Sequence, residues 1–390
     1  MARSDEEFLV WLQKAPRDFR AILAYRCAMR VVPLFRFVRR PSEYVEQFAL
    51  LGMRALLAQA VVIIGQRKLP NHVLTSASNV ESVREFAEGA TFSSGKTFAD
   101  GKLFATGPGY ALQSAADAVL VPTLGPIGVF EIISRASEAL SVRPSGLTPD
   151  LVVNAREGLA SCIDDDIAFF AGVSSGAAIL RAPITLHQWL DRYFSEWTAE
   201  RTDLFGNDGV WTFWAKWYQR AMAGDPLPWD LQEKIALIPN EIWEAGPEAV
   251  AEQIALIEAA FELRRRIADL EAGQAVAEQG RHGIGGNNPP EEIDDAVVGA
   301  QVSVMWESIA GLKEEVEADE PDSGRVAALI ERLSHALKAV VAWIGRKADL
   351  AVDTAIKWGI PAGGGFLVLN PEKAHAVLKA AQAWLPFLGP

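Results

Sequence analysis

A mainly α-helical protein of several modules is what this sequence predicts, and three observations carry that reading. Apolar residues recur at i, i+3, i+4 and i+7 over long stretches, whereas the alternation of a half-buried strand is hard to find anywhere. Prolines and capping residues bracket those stretches at helix starts and stops. A Gly-Asn-Pro stretch, HGIGGNNPPEE, then breaks the periodicity before the last part of the chain. The predicted organisation is a helical domain over 1–185, a Trp-rich helical segment over 186–280 packed with it, a linker over 281–291 and a helical module over 292–390.

The elements follow in order. DEEFLVWLQKAP opens after Ser4, a capping residue, with an acidic first turn that suits the positive end of a helix dipole. PRDFRAILAYRCAMRVVPLF sets Phe19, Ile22, Leu23, Arg26 and Cys27 at helical spacing between Pro16 and Pro33. PSEYVEQFALLGMRALLAQAVVII begins at Pro41 and Ser42. Its apolar run is interrupted by Arg54 and falls short of the ~20 clean residues of a membrane-spanning helix, so a core helix is expected. GYALQSAADAVLVP and GVFEIISRASEALSV read as short helices ended near prolines. TPDLVVNAREGLASCIDDDIAFFAG reads as a helix capped by Thr148 with Pro149 at its first position. Seven of the twelve tryptophans fall between residues 189 and 243. A long helix follows, with Ala249, Ile254, Ile257, Phe261 and Ile267 along one side. In the last module, Val326, Leu329, Ile330, Leu333, Leu337, Val340, Val341 and Ile344 form one amphipathic stripe.

The net charge of −13 disfavours nucleic acid as a general partner, since a phosphate-gripping protein presents a basic face. The two cysteines, Cys27 and Cys162, form neither a disulfide framework nor a zinc motif and read as buried thiols of a reducing compartment. The N-terminal stretch shows no apolar core of a signal peptide. A cytoplasmic protein, with the inner-membrane surface as an alternative address, is the expectation.

With these segments in view, the chain resembles a set of uncharacterised bacterial helical proteins. The phrases that carry the resemblance are VWTFWAKWYQRAMAGDPLPWDLQEKIALIPNEIWEAGPEAVAEQIALIE, HGIGGNNPPEE and, more loosely, PRDFRAILAYRCAMRVVPLF. It implies helical structure and modularity, and no activity.

Few constellations carry chemistry. EFAEGATFSSGKTFADGKLFATGPG ends its second phrase in SGKT, but a phosphate-binding loop needs a glycine where Ala90 stands, and no apolar strand precedes it. The stretch reads better as four hexads, with Phe86, Phe92, Phe98 and Phe104 at one position and Gly89, Gly95, Gly101 and Gly107 at another. Turns with the phenylalanines as core pegs are expected there. Asp164, Asp165 and Asp166 read as a solvated acidic cluster, because consecutive helical residues point apart. Cys162 and His187 are a pair on paper only. No metal-hydrolase histidine spacing occurs, and no cofactor, metal or catalytic residue is assigned. Trp211, Trp214, Trp217 and Tyr218, at helical spacing, read as core whose N–H groups need partners.

The C-terminal module is the most suggestive part. Residues 291–324 hold eleven acids and one lysine, a net of −10, whereas residues 325–390 hold eight Lys plus Arg and four acids, a net of +4. Arg325, Arg332, Lys338, Arg346, Lys347 and Lys357 flank apolar positions, with Trp343, Trp358 and Trp384 among them. That composition suits an acidic protein partner, self-association or an anionic membrane surface, unless the acidic block folds back and masks it. The leading expectation is a non-enzymatic interaction or assembly protein docking through this module. A membrane-perturbing toxin-like or defence effector, and a nucleotide-dependent enzyme with its site in the N-terminal domain, are the alternatives.

Overall fold

The computed structural model describes residues 4–37, 42–64, 66–77, 125–140, 149–173, 179, 182–192, 209–281, 296–346 and 364–389. These are overwhelmingly helical, with no strand among them. The Phe-Gly hexads, Lys96 and Thr97, and the linker stretch lie outside the described residues. The chain divides into two compact units, Met1–Gln253 and Ile254–Pro390.

Unit 1 begins with α1 (Asp5–Lys14), where the Ser4 hydroxyl accepts the Glu7 N–H at 3.2 Å and the Glu7 carboxylate accepts the Ser4 N–H at 2.9 Å. This reciprocal cap satisfies two donors that a helix start otherwise leaves open. Helix α2 (Arg17–Val31) is buried almost all round from Ala21 onward, so it forms the axis of the unit. Then come α3 (Ser42–Gln59), a π-helical turn (Ala60–Ile64) and α4 (Asn71–Ala77). Helices α5 (Pro126–Ala139) and α6 (Pro149–Ala171) both pack on α2, and α6 does begin at Pro149.

The Trp-rich segment supplies α7 (Thr212–Met222), α8 (Trp229–Ala236) and α9 (Asn240–Ala245). Trp211, Trp214, Trp217 and Trp243 are buried, with the Trp214 ring 6.1 Å from both Trp217 and Trp243. Within this core the Trp217 indole donates to Gln232 Oε1 at 2.8 Å and the Trp243 indole to the Ile238 carbonyl at 3.0 Å. Gly246, at φ +111°, turns the chain from α9 into α10 (Pro247–Arg281), in a conformation that a β-carbon strains.

The boundary of unit 2 falls inside α10, and not at the Gly-Asn-Pro stretch. From Ala260 onward, Leu263, Ile267 and Leu270 belong to the unit 2 core. The side expected to be apolar is only partly right, since Ile257 and Phe261 are half-buried. Periodicity locates a helix face but not the core it serves. The rest of the unit is α11 (Ala296–Glu317), α12 (Ser323–Arg346), α13 (Gly364–Leu369) and α14 (Pro371–Trp384). Helices α11 and α12 form an antiparallel hairpin that approaches closely at Gly311, where an added β-carbon would sit 2.8 Å from Leu329 Cδ2. Most of the stripe expected on α12 is buried, but Val341 is 49% exposed and Ala336 and Trp343 complete the seam instead.

Candidate functional site

In unit 2 the acidic block does fold onto the basic residues. Glu315 is buried and accepts the Arg325 guanidinium at 2.7 Å and the Asp322 backbone N–H at 2.8 Å, which ties α11, the turn and α12 together. Glu314 takes a second Arg325 nitrogen at 2.6 Å, and Glu307 takes Arg332 at 3.0 Å. Glu314 and Glu315 raise the Arg325 pKa. Trp343 and Trp384, expected to face a partner, are buried in the core at 6% and 2% exposure. Trp343 stands three residues beyond Val340 and seven beyond Ala336, on the apolar stripe, so burial of the stripe takes the indole with it. Lys338 is exposed and has no carboxylate partner among the described residues, beside exposed Ala339, Val341 and Ala342. Arg346 is the last residue of α12. Lys347, Lys357 and Trp358 lie outside the described residues.

Unit 1 contains a buried ionic cluster that the sequence did not lead us to expect. Arg26 and Arg30, one turn apart on α2, both reach Asp166 of α6: Arg26 Nε donates to Oδ1 at 2.9 Å and Arg30 Nη1 to Oδ2 at 2.7 Å. Side-chain exposures are 5%, 0% and 4% for Arg26, Arg30 and Asp166. Asp166 is therefore not part of a solvated acidic cluster. It turns inward, while Asp165 stays exposed, because consecutive helical residues point apart. The remaining donors hold an extended segment, with Arg26 donating to the Ala182 and Pro183 carbonyls at 3.1 and 2.9 Å and Arg30 to the Thr185 carbonyl at 3.1 Å. Burial acts to lower the Arg30 pKa, but the Asp166 carboxylate outweighs it and the net shift is upward. The signal in the sequence was Arg26 itself, a charge on an apolar helical face. Arg30 at i+4 completes the pair.

Around this cluster lie two cysteines and a histidine whose hydrogen bonds go to the backbone. Burial pushes the Cys27 thiol up to about 12, against the pull of Arg30. Burial also raises Cys162, with Arg30 and the His187 backbone N–H opposing it. A thiol held protonated is a poor nucleophile. The Cys162 S–H points to the Thr185 carbonyl at 3.6 Å, and His187 Nδ1 accepts the Trp189 N–H at 3.3 Å, so thiol and imidazole are engaged elsewhere. The gap beside Arg26 measures about 20 Å³, room for little more than a water. The cluster is a clamp on residues 182–185.

Other candidates resolve similarly. Arg54 is buried at 5% exposure, with its guanidinium 4.8 Å above the Trp243 ring and donating to Asn240 Oδ1. Burial lowers its pKa to about 10, against the pull of Glu244. Glu131 is exposed and lies 4.0 Å from Arg135 on the same helix. No cluster of metal-ligating side chains occurs among the described residues, and no described helix is long and apolar enough to cross a membrane. No family model matches the chain, and no curated protein or solved structure is similar to it.

Proposed function

We propose that this protein is a non-enzymatic interaction or assembly protein of the bacterial cytoplasm that docks an acidic protein partner through unit 2. The observation that carries this reading is the division of α12 into two halves. Its first half spends Arg325 and Arg332 on Glu314, Glu315 and Glu307 within the hairpin. Among the described residues its second half gives Lys338 no carboxylate partner, next to an exposed Val341. A cation beside solvent-facing apolar and small side chains suits a helix-sized acidic surface, the charge steering encounter and the apolar contact holding it. With Trp343 and Trp384 in the core, aromatic anchoring to a lipid surface has less support than a protein contact.

Deleting residues 292–390 would strip the cover from Leu263, Ile267 and Leu270 and leave a sticky helix. Surface substitution in the full chain is the cleaner test. Lys338→Glu with Val341→Glu is expected to lower recovery of the specific partner in quantitative affinity capture by about tenfold or more. Unchanged recovery refutes docking at this face. Light scattering on the same pair reads self-association against the 42.4 kDa monomer mass.

A further inference from the structure

The solvent face of α12 is its own complement. Exposed residues recur on it seven positions apart at Gly324, Glu331, Lys338 and Gly345. Between them stand exposed Ala327 and Ala328 on one side and exposed Val341 and Ala342 on the other. Residues at that spacing share one side of a helix, so they form a single seam. The seam reads alike from either end. About a midpoint between Ser334 and His335, glycine answers glycine, the alanine pair answers Val341 and Ala342, and Glu331 answers Lys338. Its neighbours on the helix leave this charge pattern in place. Arg325 and Arg332 are held by Glu314, Glu315 and Glu307 within the hairpin. Glu331 lies 3.8 Å from His335 of its own helix, with both side chains about three-quarters exposed at 75% and 74%.

We propose that α12 pairs antiparallel with α12 of a second copy of this chain, about a two-fold axis at that midpoint. The proposal rests on the docking face described above and identifies its acidic partner as the chain itself. The two charges choose this occupant. An unrelated acidic helix matches Lys338 but sets its own acid against Glu331, whereas a second copy matches both residues, and the two-fold axis makes each pair twice. Glycine and alanine toward the ends let the backbones approach to the short end of the usual spacing of about 8–10 Å, which brings the longer Glu331 and Lys338 side chains within reach of each other. The seam is ~36 Å long and one helix wide, and so falls below the roughly 1,200–2,000 Å² of a stable interface. A weak dimer follows, with a dissociation constant of roughly 10–100 μM.

The test is sedimentation velocity on the full chain from about 5 to 500 μM, a range that brackets this constant. Wild type is expected to pass from the 42.4 kDa monomer to the dimer across it. Glu331→Lys or Lys338→Glu alone sets like charges across both pairs and is expected to weaken association by about tenfold or more. Mixing E331K with K338E restores opposite charges at both pairs, so the mixture is expected to associate within about threefold of wild type, a rescue that misfolded variants cannot give. Three results overturn the dimer: a wild type that stays monomeric throughout, single variants as dimeric as wild type, or a mixture no tighter than either variant alone. A monomeric wild type whose partner capture still drops with Lys338→Glu and Val341→Glu removes the dimer and leaves docking at this face standing. A dimer that is lost in the single variants, with capture unchanged by that pair, does the reverse.

Discussion

Replacing Asp166 by alanine isolates the contribution of the arginine clamp to unit 1. The carboxylate accepts Arg26 Nε at 2.9 Å and Arg30 Nη1 at 2.7 Å. After its removal Arg26 keeps two carbonyl acceptors, but Arg30 keeps only the Thr185 carbonyl, and its Nη2 already lacks a partner. A fully buried guanidinium is thus left uncompensated, and breaking such a pair from one side costs about 3–5 kcal/mol. Asp166→Asn keeps the shape and one acceptor and loses the charge, so about 1.5–3 kcal/mol is expected. A domain with stability of about 5–15 kcal/mol survives the second change and is badly weakened by the first. Urea titration followed by hydrogen exchange of peptides from residues 182–192 and 212–222 reads unit 1 separately. With a slope of about 2 kcal/mol per molar urea, the alanine variant should lose roughly 1.5–2.5 M in midpoint. The unit 2 transition should stay in place. A unit 1 midpoint within about 0.5 M of wild type, or an asparagine variant as damaged as the alanine one, would refute the clamp.

Three further predictions rest on burial and close approach. Cys27 and Cys162 should resist alkylation at pH 8 in the native protein and react only on unfolding, at rates that track urea concentration. Cys27 is raised in the folded state to about 12 from 9.0, so the unfolded chain binds fewer protons between those values. The stability it contributes is full below about pH 9 and falls as pH rises toward 12, and Cys27→Ala should flatten that fall in thermal melts. On α11, Gly299→Ala meets open space and should stabilise by about 0.5–1 kcal/mol. Gly311→Ala gains the same propensity but presses on buried Leu329, so it should end at or below neutral, after an overpacking cost of about 1–3 kcal/mol. Equal melting shifts for the two glycines would contradict the close hairpin contact.

Much of this molecule was legible in its sequence because helix formation is largely local. The Ser4 cap, the Pro149 start, the tryptophan core and the stripe on α12 all follow from spacing within one or two turns, and the residues near them carry their own instructions. The acid-on-base hairpin was legible as an alternative, since abrupt charge reversal across a short turn invites pairing. Other features depended on partners distant in the chain. Asp166 looks like its two acidic neighbours until Arg26 and Arg30, about 140 residues away, choose it by its place on the inner face of α6. Trp343 and Val341 differ by two positions, and only the packing of α12 on its neighbours decided that the indole is covered and the valine bare. The unit boundary inside α10 was hidden for the same reason, because a continuous helix gives no local sign of which core receives each turn. Local physics wrote the helices, and the distribution of charge and apolar surface between core and solvent was settled by contacts that no short window of sequence contains.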